Sequence, residues 1–261
     1  MSDPGECMGH IRLGNLPRTR KWREVVALLD AGAGAPQIAA ATLDAAKLGL
    51  EDAARDPALV HSFWLLTQLP LCARNRDFVT ALNNAGITVT STPTLLELVG
   101  GFSDAVDDHV RKTGGRTDLG EIAQMGAAES LASVLRERTT NLFGTTPDMV
   151  RDELAGLATK KQFSTLARDF FGRLTERYLA HFLSHQTSTQ FKSVPANREF
   201  REALTLHCQQ ASKIVEEFAG SWYSKANYEG GITPRKAANF VHVALTKLRK
   251  ELEKGAGDVG R

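Results

Sequence analysis

Proline positions constrain the fold of this 261-residue chain more than any other feature of the sequence. Four of the nine prolines directly follow a side chain that can cap a helix: Asp56-Pro57, Thr92-Pro93, Thr146-Pro147 and Thr233-Pro234. Proline suits the first helical position because its missing N–H needs no partner there, while the preceding oxygen accepts an orphan backbone N–H. We therefore expect a helix to begin at each of these four points.

Apolar residues recur at steps of three and four along the segments between these starts. The clearest stripes are Phe163, Ala167, Phe170, Leu174, Tyr178 and Phe200, Leu204, Cys208, Ala211, Val215, Phe218, Trp222. Such spacing predicts helices with one buried face, so the fold class is all-α, a multi-helix bundle of about ten helices with no significant sheet. A further start is expected at Thr117-Asp118, where Glu121 could complete a capping box with Asp118. The predicted helices span 19–31, 36–55, 57–69, 75–85, 93–112, 118–138, 147–158, 160–185, 197–224 and 234–254.

The glycine pair Gly114-Gly115 is the best candidate for an internal boundary, because adjacent glycines between two helical patterns predict a turn. On this basis the chain divides into an N-terminal helical half, 17–113, and a C-terminal helical half, 116–254. We also expect a flexible N-terminal arm over 1–16 and a disordered tail over 255–261.

Composition is that of a globular protein, with 42% hydrophobic residues, 24% charged residues and a net charge of +2. The three cysteines are far apart and form no C-x-x-C pair, so neither a disulfide framework nor a zinc ribbon is predicted. No secretory signal and no membrane-spanning run is readable. We therefore expect a cytoplasmic protein with no membrane association and no cofactor.

Two clusters have the spacing of metal ligands. Asp104 and Asp108 lie one helical turn apart and could hold Mg²⁺, although the apolar stripe of their helix places them on the opposite, solvated side. His181 and His185 lie four residues apart, as in helical zinc sites, although the glutamate of H-E-x-x-H is absent. We favour a solvated acidic face and structural histidines, and keep a metal-dependent enzyme as an alternative.

Basic residues gather at the two ends of the chain. They could contact phosphates or an acidic protein, or form ordinary solvated faces. A nucleic-acid-binding protein is therefore a second alternative. Its candidate residues are Arg12, Arg18, Arg20, Lys21 and Arg23 near the N-terminus, and Arg235, Lys236, Arg249 and Lys250 in the last helix.

The segment 221–234, SWYSKANYEGGITP, concentrates aromatic residues beside a predicted turn. The apolar stripe assigns Trp222 to the core. It gives no structural role to four neighbouring residues of the segment. Exposed tyrosine with polar neighbours is typical of a binding hot spot, but a tyrosine can also lock a helix–helix corner by burying its ring. The candidate partner-binding residues are Tyr223, Lys225, Asn227 and Tyr228.

These patterns favour a non-enzymatic, all-helical accessory subunit that binds a macromolecular partner. A protein partner is favoured over nucleic acid because the net charge is only +2. A bacterial multi-protein complex would suit such a subunit. Self-association is also open, since leucine-rich helices pack within or between chains. No catalytic residue is assigned, because no set of polar residues has catalytic spacing.

Overall fold

The computed structural model describes residues 18–115, 117–139, 146–190 and 194–258. Within these ranges the chain forms helices and no strand, which confirms the predicted all-α bundle. In the same ranges no helix combines the length and apolar character that crossing a membrane requires. The helices are α1 (Arg20–Asp30), α2 (Ala35–Ala53), α3 (Pro57–Ala73), α4 (Phe78–Asn84), α5 (Leu95–Thr113), α6 (Asp118–Thr139), α7 (Pro147–Gly156), α8 (Lys160–Gln190), α9 (Val194–Ala211), α10 (Lys213–Tyr228) and α11 (Pro234–Asp258).

Helix starts at three of the four proline positions are confirmed, since α3, α7 and α11 each begin at the expected proline. Asp56 accepts from the backbone N–H groups of Ala58 and Leu59 at 2.9 and 3.0 Å. The Thr146 hydroxyl accepts from Met149 N–H at 3.4 Å. These bonds satisfy donors that have no partner within the helix.

Two starts differ in their capping residue. Helix α5 begins two residues later than predicted, because Thr94 and Glu97 form a capping box in which each side chain accepts from the other's backbone N–H. Helix α6 begins as expected but is capped by Thr117, whose hydroxyl accepts from Gly120 N–H at 2.9 Å. A box of Asp118 with Glu121 was therefore the wrong pairing.

The single helix predicted over 197–224 is two helices, α9 and α10, separated by Ser212. The buried Ser212 hydroxyl donates to the Gln209 carbonyl at 2.9 Å, and the Val215 N–H donates to the Ser212 carbonyl at 3.0 Å. Hydrogen bonds of this kind compete with the regular helical ladder and break the helix. At the C-terminus α11 continues to Asp258, so a disordered tail is wrong for 255–258. Residues 259–261 and the predicted arm, 1–16, lie outside the described residues.

Helix α3 lies at the centre of the bundle, in contact with α4, α5, α6, α7 and α11. Its sequence is apolar on nearly every side, and such a helix is stable only when other helices surround it. Helices from both sides of Gly114-Gly115 contribute to one cluster of buried side chains, so the two predicted halves share a core. The fully buried ring of Phe63 lies at its heart, within 4.9–6.3 Å of the rings of Phe163, Phe170, Phe171, Trp222 and Phe240.

Helices α8 and α10 approach closely where Gly220 faces the first turn of α8. The Gly220 N–H donates to the Ser164 hydroxyl at 2.9 Å. A Cβ at position 220 would overlap the Lys160 carbonyl oxygen and lie 2.6 Å from Ser164 Oγ. Only glycine lets the two backbones meet at this distance.

We predict that Gly220→Ala destabilises the fold by about 1–3 kcal/mol, because the added methyl group must push the two helices apart. Gly100→Ala is the matched control, since Gly100 is also helical and a Cβ there would meet nothing within 4 Å. The control should be neutral or more stable by up to about 1 kcal/mol, because alanine has the higher helix propensity. Urea unfolding measures both, and equal stabilities would contradict the close approach.

Candidate functional site

Residues 225–236 comprise the last turn of α10, a tight turn and the start of α11, and are here named the α10–α11 corner. Gly230 and Gly231 both have φ of 89°, a left-handed backbone that favours glycine. The Lys236 ammonium donates to the carbonyls of Ala226, Glu229 and Gly231 at 3.0, 3.0 and 2.8 Å. An ammonium has three N–H donors, so all donors of this lysine are used in closing the end of α10. Its positive charge also interacts favourably with the partial negative charge at the C-terminus of that helix.

Helix α3 anchors the same corner from the inside of the bundle. The indole N–H of Trp64 donates to the Ile232 carbonyl at 2.9 Å, and the Gln68 amide donates to the same oxygen at 3.2 Å. Ile232 itself is buried. The corner is thus held by the central helix and by Lys236, with no contribution required from its tyrosine.

The structure corrects the position of Tyr223, which was predicted to be available to a partner. This residue is only 1% exposed, its ring stacks on Phe163 with centroids 3.9 Å apart, and its hydroxyl donates to the Thr67 carbonyl at 3.3 Å. Burial raises the pKa of its phenol. Trp222 packs against the core as predicted, with its ring centroid 4.3 Å from that of Phe240, although it is less buried than Tyr223. The buried face of α10 continues from Val215 to Ala219 and Tyr223 in steps of four, whereas the predicted stripe continued to Phe218 and Trp222.

Three residues of the predicted set remain at the surface of the corner. Tyr228 ends α10 instead of lying in the loop, and its side chain is 91% exposed. Asn227 is exposed beside it. Lys225 is also exposed, with its ammonium 3.8 Å from the Glu229 carboxylate. Because the ring of Tyr228 is in solvent, the hypothesis that it locks the corner by burial is wrong.

The basic residues near the N-terminus are partly engaged within the chain. Arg20 pairs with Glu24 at 3.0 Å and Lys21 with Asp44 at 2.7 Å. Arg18 and Arg23 are exposed. Arg12 lies outside the described residues.

The basic residues of α11 differ in their availability. Arg235 and Lys250 are exposed, whereas Arg249 is half-buried. Lys236 is occupied by the three carbonyls of the corner. The predicted nucleic-acid set is therefore not one continuous free surface, because one of its members on this helix has a structural role.

The aspartate cluster lies on the solvent side of α5. Asp104 and Asp108 are both exposed, and Asp108 forms an ion pair with Arg111. Asp107, between them, accepts from the Gln124 amide at 3.1 Å. Across the ranges that the structure describes, no three His, Cys, Asp or Glu side chains are grouped as metal ligands.

Of the predicted histidine pair, His181 and His185, the structure describes the side chain of His181. The imidazole of His181 is half-buried, with Nε2 3.6 Å from the Asp118 carboxylate. The side chain of His185 lies outside the described residues. Asp118 lies at the start of α6, so this contact joins two helices.

Two cysteines are buried and unreactive. Burial raises the pKa of the Cys72 thiol to about 11 and raises that of Cys208 as well. The thiolate is the nucleophilic form, so neither sulfur is activated at neutral pH. Cys7 lies outside the described residues.

A surface cleft of about 410 Å³ lies between the α3–α4 turn and the starts of α5 and α7. Its half-buried cation, Arg151, donates to the carbonyls of Ala73 and Asn75 at 3.3 and 2.9 Å. Asp77, another lining residue, accepts from Thr80. The cleft carries charges of both signs, and two of them, Arg151 and Asp77, stabilise the local turns.

A stacked pair of histidines is the feature that sequence reasoning missed. The rings of His61 on α3 and His109 on α5 lie 3.9 Å apart and nearly parallel, at 4°. Burial, followed by the neighbouring His109, lowers the pKa of His61 to about 4, while burial and Lys112 lower that of His109. The stack adjoins Trp64, at 5.3 Å. No local motif reveals such a pair, because tertiary packing alone brings the two helices together.

We expect Lys236→Met to destabilise the fold by about 1–3 kcal/mol, because three carbonyls at the end of α10 lose their donor. Lys250→Met is the control, since this exposed lysine on the same helix should change stability by less than about 0.5 kcal/mol. Chemical denaturation measures both variants, and limited proteolysis reports whether the corner opens. Equal effects would show that Lys236 does not hold the corner.

The histidine stack should also make stability depend on pH. The pKa of His61 is about 4 in the folded chain, below its ordinary value of 6.5, so protonation favours the unfolded chain. The part of the unfolding free energy that depends on neutral His61 is fully present above about pH 6.5 and is lost as the pH falls towards 4. We expect this loss to be about 1–2 kcal/mol, because solvent near the ring reduces the effect.

His61→Gln should therefore flatten the acid side of the stability profile relative to the wild type. The quantity to compare is the slope of the unfolding free energy against pH, because loss of the imidazole ring also changes the unfolding free energy by a constant amount at every pH. His242→Gln, at an exposed position on α11, is the control and should keep the wild-type slope. Parallel profiles for His61→Gln and the wild type would contradict this interpretation.

Comparisons with known protein families, curated proteins and solved structures return no match. The site is therefore interpreted from its own geometry. Its distinctive feature is a rigidly held corner whose exposed tyrosine takes no part in holding it.

Proposed function

We propose that this protein is a non-enzymatic, all-helical binding subunit that recognises another protein through the α10–α11 corner. The observation that supports this proposal most directly is the 91% exposure of Tyr228 at the end of a helix that other residues hold in place. Tyrosine combines a large apolar ring with a polar tip, and it is enriched among residues that dominate binding energy.

Rigidity of the corner supports the proposal further. Ordering a flexible loop on binding costs free energy, so a surface held in its bound shape binds more tightly. Here the carbonyls of four corner residues are engaged by Lys236, Trp64 and Gln68. The turn is therefore prepared to present Tyr228 and Asn227 to a partner without rearrangement.

The surroundings of Tyr228 fit the rim of a protein interface. Lys225 and Arg235 are exposed on either side of the turn. Polar and charged residues around an aromatic anchor exclude water and orient the partner.

We also propose the cytoplasm as the compartment, in keeping with the free thiols of Cys72 and Cys208.

Tyr228→Ala should leave the melting temperature within about 1 °C of the wild type, because the ring is in solvent, and should abolish retention of a specific partner. Leu96→Ala is the matched control, since Leu96 is also a large, highly exposed side chain, 81% exposed, and lies on α5, outside the corner. The measurement is quantitative capture from the native cell with the full chain as bait.

The proposal is supported if a protein retained by the wild type and by Leu96→Ala is lost from Tyr228→Ala. Identical sets of proteins on all three baits would refute it. Sedimentation velocity on the purified wild type and Tyr228→Ala reveals whether the partner is a second copy of this chain. A large drop in the melting temperature of Tyr228→Ala would instead return the tyrosine to a structural role.

A further inference from the structure

Helix α11 carries an exposed ridge that leads away from the α10–α11 corner. Arg235, Asn239, Val243 and Lys247 follow one another at intervals of four residues and are all exposed. Residues four apart on a helix are neighbours on its surface, so these side chains form one continuous row. With a rise of 1.5 Å per residue, the two cations at its ends are about 18 Å apart. We name this row the α11 ridge.

The ridge has an uncharged centre between cationic ends. Val243 is 43% exposed, whereas the other valine and the leucines of this helix are buried. The ammonium of Lys247 lies over the ring of Phe218 on α10, 5.3 Å from its centroid, in a cation–π contact, and the side chain as a whole is exposed. An apolar centre with a charged rim is the usual organisation of a protein interface.

In the part of the chain that the structure describes, the two cations of the ridge are not paired with a carboxylate. Between Arg235 and Lys250 the sequence contains no Asp or Glu. Within the described residues, neither Arg235 nor Lys247 lies within ion-pair distance of a carboxylate. By contrast, Lys21 and Arg20 on α1 are both paired. The charge of the ridge is thus available to a partner.

We propose that the α11 ridge receives an acidic helical segment of another protein, with carboxylates at its two ends and an apolar side chain between them. This inference rests on the proposed function and names the chemistry of the partner. The carboxylates pair with Arg235 and Lys247, and the apolar side chain covers Val243. Tyr228 lies at the Arg235 end, because Lys236 holds the last turn of α10 against the first turn of α11.

The spacing favours an acidic protein segment over nucleic acid. A nucleic-acid strand presents a phosphate with every nucleotide, so a surface that follows it places cations at short, repeated intervals. Here Asn239 and Val243 interrupt the charge, and Lys236 is occupied by carbonyls. Two separated cations and an apolar centre instead complement an amphipathic helix, which binds through anchors spaced along one face.

The test uses the full chain and a synthetic helical peptide of about sixteen residues, with glutamates in its first and last turns and leucines in the middle of one face. A peptide of identical composition in scrambled order and a single-stranded DNA of equal net charge are the comparison probes. Fluorescence anisotropy at low and physiological salt measures all three. We expect the patterned peptide to bind at least about tenfold more tightly than the scrambled one.

Charge reversal at both ends of the ridge, Arg235→Glu with Lys247→Glu, should weaken this binding at least about tenfold. Arg55→Glu with Lys161→Glu is the matched control, because it changes net charge equally at exposed positions elsewhere and should change binding less than about threefold. Val243→Ser should weaken binding without altering the salt dependence, because it removes only the apolar contact.

Three results would overturn the inference: absence of saturable peptide binding at low salt, equal binding of patterned and scrambled peptides, or equal effects of the two charge-reversed variants. Tighter binding of the DNA would assign the ridge to nucleic acid instead. These failures are distinct from failure of the proposed function. If Tyr228→Ala loses the native partner while the ridge variant keeps it, the corner binds a protein but the acidic segment is wrong.

Discussion

The burial of helix α3 is the constraint on which the rest of the structure depends. A helix that is apolar on nearly all sides gains stability only by contact with neighbours in every direction, and α3 is enclosed by five other helices. Phe63 illustrates the result, because aromatic residues from α8, α10 and α11 surround one fully buried ring. Helices distant in sequence are thereby drawn into a single core.

Enclosure of α3 also determines the form of the surface. Trp64 and Gln68 reach from the edge of the central helix to the Ile232 carbonyl and so position the corner from within. Lys236 completes the corner from outside. Because these groups satisfy the backbone, the exposed ring of Tyr228 is not needed to hold the corner. Its exposure and that of the α11 ridge support the proposal that a protein partner binds at this end of the molecule.

Periodicity predicted the helices well because it reflects local geometry. The inward face of α11, with Val241, Ala244 and Leu248, is fully buried as its spacing indicates. The same reasoning failed for Tyr223, because steps of three and of four both fit a helix, and after Val215 the buried face advances to Ala219 and Tyr223. The break at Ser212 was missed as well, since no propensity of serine alone predicts that its hydroxyl will bond to the Gln209 carbonyl there.

The sequence by itself determined the all-α class, most helix starts and the residues of the corner turn, since capping, proline geometry and apolar spacing are properties of neighbouring residues. Only the tertiary structure decided which aromatic of the pair Trp222 and Tyr223 is buried, which lysine holds the corner, and that His61 meets His109. Each of these depends on contacts between helices. Their physical origin is the rotation and close approach of packed helices, which a local pattern does not encode.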